Sequence, residues 1–135
     1  MIAFDTTFLL DYLDAVPATE AFLQSYETKP FFAPSLSLFE VYRGAARTGG
    51  SETVDSLTGK LDWIEPLPLT QTTAREAAVI EAELLDDGER VNLKDILIAG
   101  ICRHHGARLV TRDADFDRIT TDSRHCRISP PAYSL

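Results

Sequence analysis

The sequence predicts an α/β domain with a mostly parallel central sheet. Short apolar runs such as Met1-Ile2-Ala3-Phe4 and Arg108-Leu109-Val110-Thr111 alternate with longer segments of helical period. Residues that start or stop helices, from Pro17 to Gly106, punctuate the chain between them. A length of 135 residues with 44% apolar content supplies one buried core and is too apolar for a disordered chain. No internal repeat, low-complexity tract or linker interrupts it, so residues 1–135 are expected to form one domain.

Met1 to Phe4 reads as a buried strand ending at Asp5. Thr6 or Thr7 can cap the helix after it, whose apolar positions are Phe8, Leu9, Leu10, Tyr12 and Leu13. Pro17 opens a second helix, which ends before Lys29-Pro30. Phe31 to Pro34 is the next strand. A helix from Ser35 to Arg47 follows and is stopped by Gly49-Gly50. Val54, Leu57 and Leu61 mark a short helix, and Trp63 to Leu67 a strand whose Pro66 suits a sheet edge. Thr73 to Leu85, rich in Ala, Glu and Leu, is a helix closed by Asp87-Gly88. Asn92 caps another from Leu93 to His105, with Gly106 beyond it. Arg108 to Thr111 is a strand, and Cys126-Arg127-Ile128 reads as the last one.

Charge narrows the partners less than it first suggests. The 21 acidic and 13 basic side chains leave a net charge of −8, which argues against a sequence-independent nucleic-acid binder. It leaves room for a nucleic-acid enzyme whose positive charge arrives as metal ions. Residues 1–100 hold 17 acids and 7 bases, whereas residues 101–135 hold 4 acids and 6 arginines. Scarce lysine with abundant carboxylate also suits a protein kept soluble in high salt. The long unbroken apolar run of about 18 residues that a membrane helix requires is absent. No basic leader precedes the first apolar run, and two cysteines are too few for a disulfide framework. A reduced, cytoplasmic chain is the expectation.

Ligands of parallel sheets bind beyond the carboxyl ends of the strands, which directs attention to Asp5 and to the segment after Thr111. Asp5 alone reads as a helix cap, and Asp113 and Asp115 alone as turn residues. They gain weight together, because strand ends from distant sequence meet along one sheet edge. Glu40 lies among apolar residues, where a carboxylate needs a partner or a metal. Ser37-Leu38-Phe39-Glu40 also fits a capping box, although Ser35 is an equally good cap that leaves Glu40 free. Asp95 opens the most apolar stretch of the chain, in a first helical turn that favours a carboxylate. Several carboxylates gathered at one edge repel one another, and hard divalent cations, Mg²⁺ or Mn²⁺, relieve that repulsion. Zinc fits poorly: His104, His105 and His125 show no ligand spacing with Cys102 or Cys126. Cys102 reads as a small core residue.

These residues resemble a family. The chain is similar to PIN-domain ribonucleases of the VapC toxin type over nearly its whole length. Phe4-Asp5-Thr6-Thr7-Phe8-Leu9-Leu10 is similar to the family's first strand and D-T-[NST]-x-[LI]-[LI] segment. Glu40, followed by Arg43 and Gly44, matches its glutamate with a basic residue and glycine after it. Asp95-Ile96-Leu97-Ile98-Ala99 resembles its D-x-x-I-A segment, Thr111-Arg112-Asp113 its T-x-[ND] segment, and Phe116 the aromatic that follows. Thr7 stands where many relatives carry Asn or Ser, which puts a polar group beside Asp5 in question. Gly100 stands where many carry Ala.

The resemblance implies a PIN-like three-layer α/β/α fold and metal-dependent endoribonuclease activity on cellular RNA. It also implies a cognate VapB-like antitoxin and a homodimer. Asp5, Glu40, Asp95 and Asp113 would form the catalytic set. The metal would be Mg²⁺ or Mn²⁺, held by Asp5 and Asp95 with Glu40, Asp113 and Asp115, the last two sharing or exchanging one role. Arg43, Arg47 and the late arginines, Arg112 foremost, are candidates for contact with the RNA backbone. Rival readings are a receiver-like signalling domain, a phosphatase with an Asp nucleophile and a non-catalytic interaction module with an acidic metal site. The receiver lacks a later phosphoacceptor strand, and the phosphatase lacks a second Asp in Asp5-Thr6-Thr7. The interaction module is disfavoured because all four acidic positions are filled.

Overall fold

Ile2, Ala3 and Phe4 (β1) form the central strand of a parallel sheet in a computed structural model that describes residues 1–26, 30–88, 90–119 and 127–128. The elements after β1 are α1 (Thr6–Leu13), α2 (Pro17–Gln24), β2 (Phe31–Pro34), α3 (Ser35–Lys60) and β3 (Ile64–Leu67). Then come α4 (Gln71–Asp86), α5 (Leu93–His105), β4 (Arg108–Val110), a 3-10 turn (Ala114–Arg118) and β5 (Arg127–Ile128). Strand order is β3-β2-β1-β4-β5, and every pairing among the described residues is parallel. Pro66 lies in the edge strand β3, where its missing N–H falls beside a single neighbour.

Alternation along these short strands divides the core in two. Ile2, Phe4, Phe31, Ile64 and Val110 point to one face, where Phe8, Leu9, Phe22, Leu38 and Val41 of α1, α2 and α3 cover them. Ala3, Leu67 and Leu109 point to the other, beneath Ala77, Ile80, Leu84, Ile98 and Ile101 of α4 and α5. The result is a three-layer α/β/α arrangement. On the first face the Phe4 and Phe8 rings stack with centroids 4.0 Å apart, and Phe22, Phe31 and Trp63 meet Phe4 around them. On the second face α5 approaches α4 so closely that a Cβ on Gly100 would lie 2.7 Å from the Thr73 carbonyl oxygen. The Arg103 guanidinium then clamps the two helices through a forked contact to Glu83, at 3.1 and 3.0 Å.

Several helix ends differ from expectation. The N-cap of α1 is Asp5, not Thr6 or Thr7: its carboxylate accepts the Phe8 N–H at 3.1 Å, and both threonines are helical. A carboxylate one residue past the strand reaches the third helical amide directly, so the threonines are left for other work. Neither Ser35 nor Ser37 caps α3. Pro34 holds that position without a side-chain bond, and the buried Ser37 hydroxyl has no partner, so the capping box with Glu40 does not form. Gly49-Gly50 kinks α3 where a stop was expected. Gly50 takes φ +71°, open to glycine, and the helix resumes to Lys60. The Asn92 cap and the left-handed Gly106 bound α5 as predicted. Cys102 is buried in the core, and burial pushes its thiol up to about 12. The expected role of Cys126 in the last strand lies outside the described residues. Among those described, no helix is long and apolar enough to cross a membrane.

Candidate metal centre

The position of the site follows from the strand order. The chain leaves β1 to reach β2 on one side and later returns as β4 on the other, so a crevice opens between the ends of β1 and β4. Phe4 pairs with Val110, and the Asp5 N–H donates to the Val110 carbonyl at 3.2 Å. Asp5 and Thr111 therefore leave the sheet side by side.

Asp5 is buried, with 2% of its surface exposed, and both carboxylate oxygens are occupied. Oδ1 accepts the Thr7 hydroxyl at 2.7 Å and the Phe8 amide, and Oδ2 accepts the Thr111 hydroxyl. Burial raises its pKa to about 6 against these hydrogen bonds, which pull the other way, and the charge of Asp113 adds to the rise. Thr111 also accepts the Asp113 N–H at 2.9 Å, and Thr7 accepts the Arg112 N–H at 3.2 Å. The two hydroxyls thus tie the loop after β4 to the carboxylate after β1. Thr7 supplies the polar neighbour of Asp5 that the resemblance left in question.

Asp95, Asp113 and Asp115 converge in front of this network. Each offers a carboxylate oxygen, and the three atoms lie within 4.8 Å of one another. Asn92 starts α5 and sets Asp95 in its first turn, where 6% of the residue is exposed. Asp113 caps the 3-10 turn by accepting the Asp115 N–H at 2.9 Å, so a local turn brings both acids to Asp95. Burial, then the charge of Asp113, raises Asp95 to about 6, overriding the favourable helix dipole. Oxygen donors in this number suit a hard cation such as Mg²⁺ or Mn²⁺, and their mutual repulsion is what such an ion relieves. Among the described residues no Cys/His group accompanies them.

Glu40 projects from α3 into the same region, half-buried. Its Oε1 accepts the Thr6 hydroxyl at 2.6 Å, and its Oε2 lies 2.5 Å from the Lys94 ammonium. The charges of Glu40, Asp95 and Asp113 all favour protonation of Lys94, and the hydrogen bond to Glu40 is the largest cause of its raised pKa.

The structure therefore places all five predicted acids at one edge of the sheet. It groups Asp95, Asp113 and Asp115 most tightly, with Asp5 behind them and Glu40 beside them. Both Asp113 and Asp115 reach Asp95. Arg112, proposed for the RNA backbone, extends its guanidinium to Asp11 of α1, at 2.7 and 3.0 Å. Arg43 and Arg47 are exposed on α3. His104 and His105 close α5 away from a metal group, and His125 lies outside the described residues. Sequence reasoning missed Lys94 and Thr6, which meet Glu40 across 54 and 34 positions with no local signal beyond their adjacency to Asp95 and Asp5.

Comparison with known proteins agrees with this fold. The fold superimposes on VapBC2 of Rickettsia felis bound to a DNA fragment from its promoter, with TM-score 0.81 and 19% identity over 94% of this chain and 97% of that one. DNA-bound VapBC of Salmonella typhimurium gives 0.80 and 21% identity over 94% and 97%. FitAcB of Neisseria gonorrhoeae gives 0.78 and 20% identity over 94% and 96%. No curated protein matches in sequence. The family model for the PIN domain matches residues 2–122, which span β1 to β4, the helices and every acid of the centre just described. The chain belongs to the PIN-domain family.

Proposed function

We propose that this protein is a metal-dependent endoribonuclease, the toxin of a VapBC-type pair, with residues 1–135 acting as one PIN domain in the cytoplasm. The observation that carries the reading is the convergence of Asp95, Asp113 and Asp115 within 4.8 Å, backed by the hydrogen-bonded Asp5. Mg²⁺ or Mn²⁺ bound there would supply Lewis acidity toward a phosphodiester and ease deprotonation of water. Asp95, Asp113 and Asp115 would hold the ion, with Asp5 completing the set.

The remaining groups orient and tune. Thr7 and Thr111 fix both oxygens of Asp5, so that carboxylate points one way without reorganising. Asp113, half-buried at the mouth, is placed to exchange a proton with the reacting water. Exposed Arg43 and Arg47, one helical turn apart on α3, offer guanidinium groups to the phosphates of an RNA strand. The similarity to proteins crystallised as toxin–antitoxin complexes supports a VapB-like antitoxin partner. A homodimer belongs to the same proposal.

Cellular RNA incubated with the wild-type chain, Asp5→Asn and Asp95→Asn, each with Mg²⁺ or with EDTA, tests the reading. Cleavage by the wild type alone, abolished by EDTA, is expected. Equal cleavage in every sample would assign the activity to a contaminant and reject these residues as its source.

A further inference from the structure

Lys94 sets its ammonium directly on Glu40, an acid of the centre. It occupies the first turn of α5, where the helix dipole disfavours positive charge, so its place there depends on the carboxylates around it. Its ammonium lies 2.5 Å from Glu40 Oε2, while Glu40 Oε1 takes the Thr6 hydroxyl, so both oxygens of Glu40 are engaged. On the other side of Lys94 stands its sequence neighbour Asp95, with Asp113 and Asp115 beyond. A two-ion centre needs cations about 3.5–4 Å apart that share carboxylates. Here a fixed monovalent cation already holds the outlying carboxylate, and a divalent ion at Glu40 would meet it as a like charge. An ammonium carries three donors, and Glu40 uses one. With 42% of its side chain exposed, Lys94 keeps the others within reach of an anion arriving from solvent.

We propose that Lys94 stands in for a second metal ion: it occupies Glu40, confines divalent binding to one ion at Asp95, Asp113 and Asp115, and offers its remaining N–H groups to the substrate phosphate. The inference rests on the metal reading above and deepens it. Glu40 is then a positioning residue that anchors Lys94, and the fixed ammonium leaves one dissociable cation where a two-ion centre would have two.

Manganese titration of the full chain tests this, with stoichiometry read by calorimetry and by the electron paramagnetic resonance signal of free Mn²⁺. The wild type is expected to bind one Mn²⁺. Lys94→Met should bind two, because Glu40 is released; Lys94→Gln removes the same charge and serves if the first variant does not fold. Lys94→Arg should still bind one, and Lys94→Met combined with Glu40→Gln should return to one. Two ions on the wild type, or one on both uncharged variants, would overturn the proposal while leaving a metal centre intact. No binding by any of the proteins would overturn the metal reading and the proposal together.

Discussion

Replacing Asp5 with Asn should flatten the pH dependence of folding stability in a measurable way. Asp5 has a pKa of about 6 in the folded chain against 3.8 for a free carboxyl, and burial is the main cause. A difference of about two units is worth about 3 kcal/mol, and the group is too deeply buried for solvent to screen it. The folded-state value lies above the unfolded one, so the folded protein holds the proton more tightly. The stabilising contribution is complete below pH 3.8 and is lost as pH rises through about 6. Between pH 5 and 7.5 the loss is about 1–2 kcal/mol. Urea unfolding in EDTA, followed by the single tryptophan, Trp63, which packs edge-on to Phe4, reads it. Groups common to both proteins cancel in the difference, as does any pH-independent cost of the Asn itself. Wild-type stability should therefore fall by about 1–2 kcal/mol relative to Asp5→Asn across that window. A constant gap between the two proteins, or one that moves in the opposite direction, would refute the assignment of a raised pKa to Asp5.

Three further outcomes follow from the same geometry. Mg²⁺ or Mn²⁺ at about 100 times its dissociation constant should stabilise the wild type by about 2.7 kcal/mol in a thermal melt. Because Asp95 must lose its proton to bind, the gain at a fixed metal concentration should grow as pH rises through about 6 and vanish in Asp95→Asn. Thr111→Val keeps the shape of a fully buried side chain but removes the donor to Asp5, so urea unfolding at pH 7.5 should show a loss of about 1–3 kcal/mol. Gly100→Ala should lower stability by about 1–3 kcal/mol, despite the better helix propensity of alanine, because its Cβ meets the α4 backbone. A more stable Gly100→Ala protein in the same assay would mean that α4 and α5 separate more easily than their packing indicates.

Where local chemistry decides a feature, the sequence displayed it. Asn92 and Gly106 bound α5 because cap and left-handed stop are properties of one or two residues. Strand order was not legible as such, but the rule that ligands gather beyond parallel strand ends selected Asp5 and the segment after Thr111. The misjudged caps share a cause. Ser35, Ser37, Thr6 and Thr7 are all competent N-caps, and local sequence does not say that both threonines turn to other carboxylates while the Ser37 hydroxyl is buried without a partner. Thr6 goes to Glu40 and Thr7 to Asp5, both carboxylates of the centre. Likewise Glu40 looked like a buried acid in need of a cation, yet nothing near it in sequence named Lys94. Gly100 looked like a minor departure from relatives until the approach of α4 gave it a steric reason.

The hydrogen bond from Thr111 to Asp5 joins residues 106 positions apart, and this has a consequence for synthesis. During translation β1 and β2 are both available once the first 34 residues have emerged, but β1 has no second neighbour until β4 follows. A nascent chain therefore carries Asp5 and Glu40 through the synthesis of more than 50 further residues before Asp95 is made, and then still lacks the threonine, the turn and the two acids that complete the centre. Sequence-distant pairing of this kind also forms slowly. The strand order thus works as a timer: the cell that makes this protein meets an assembled acidic centre only after β4 and the turn behind it have been made.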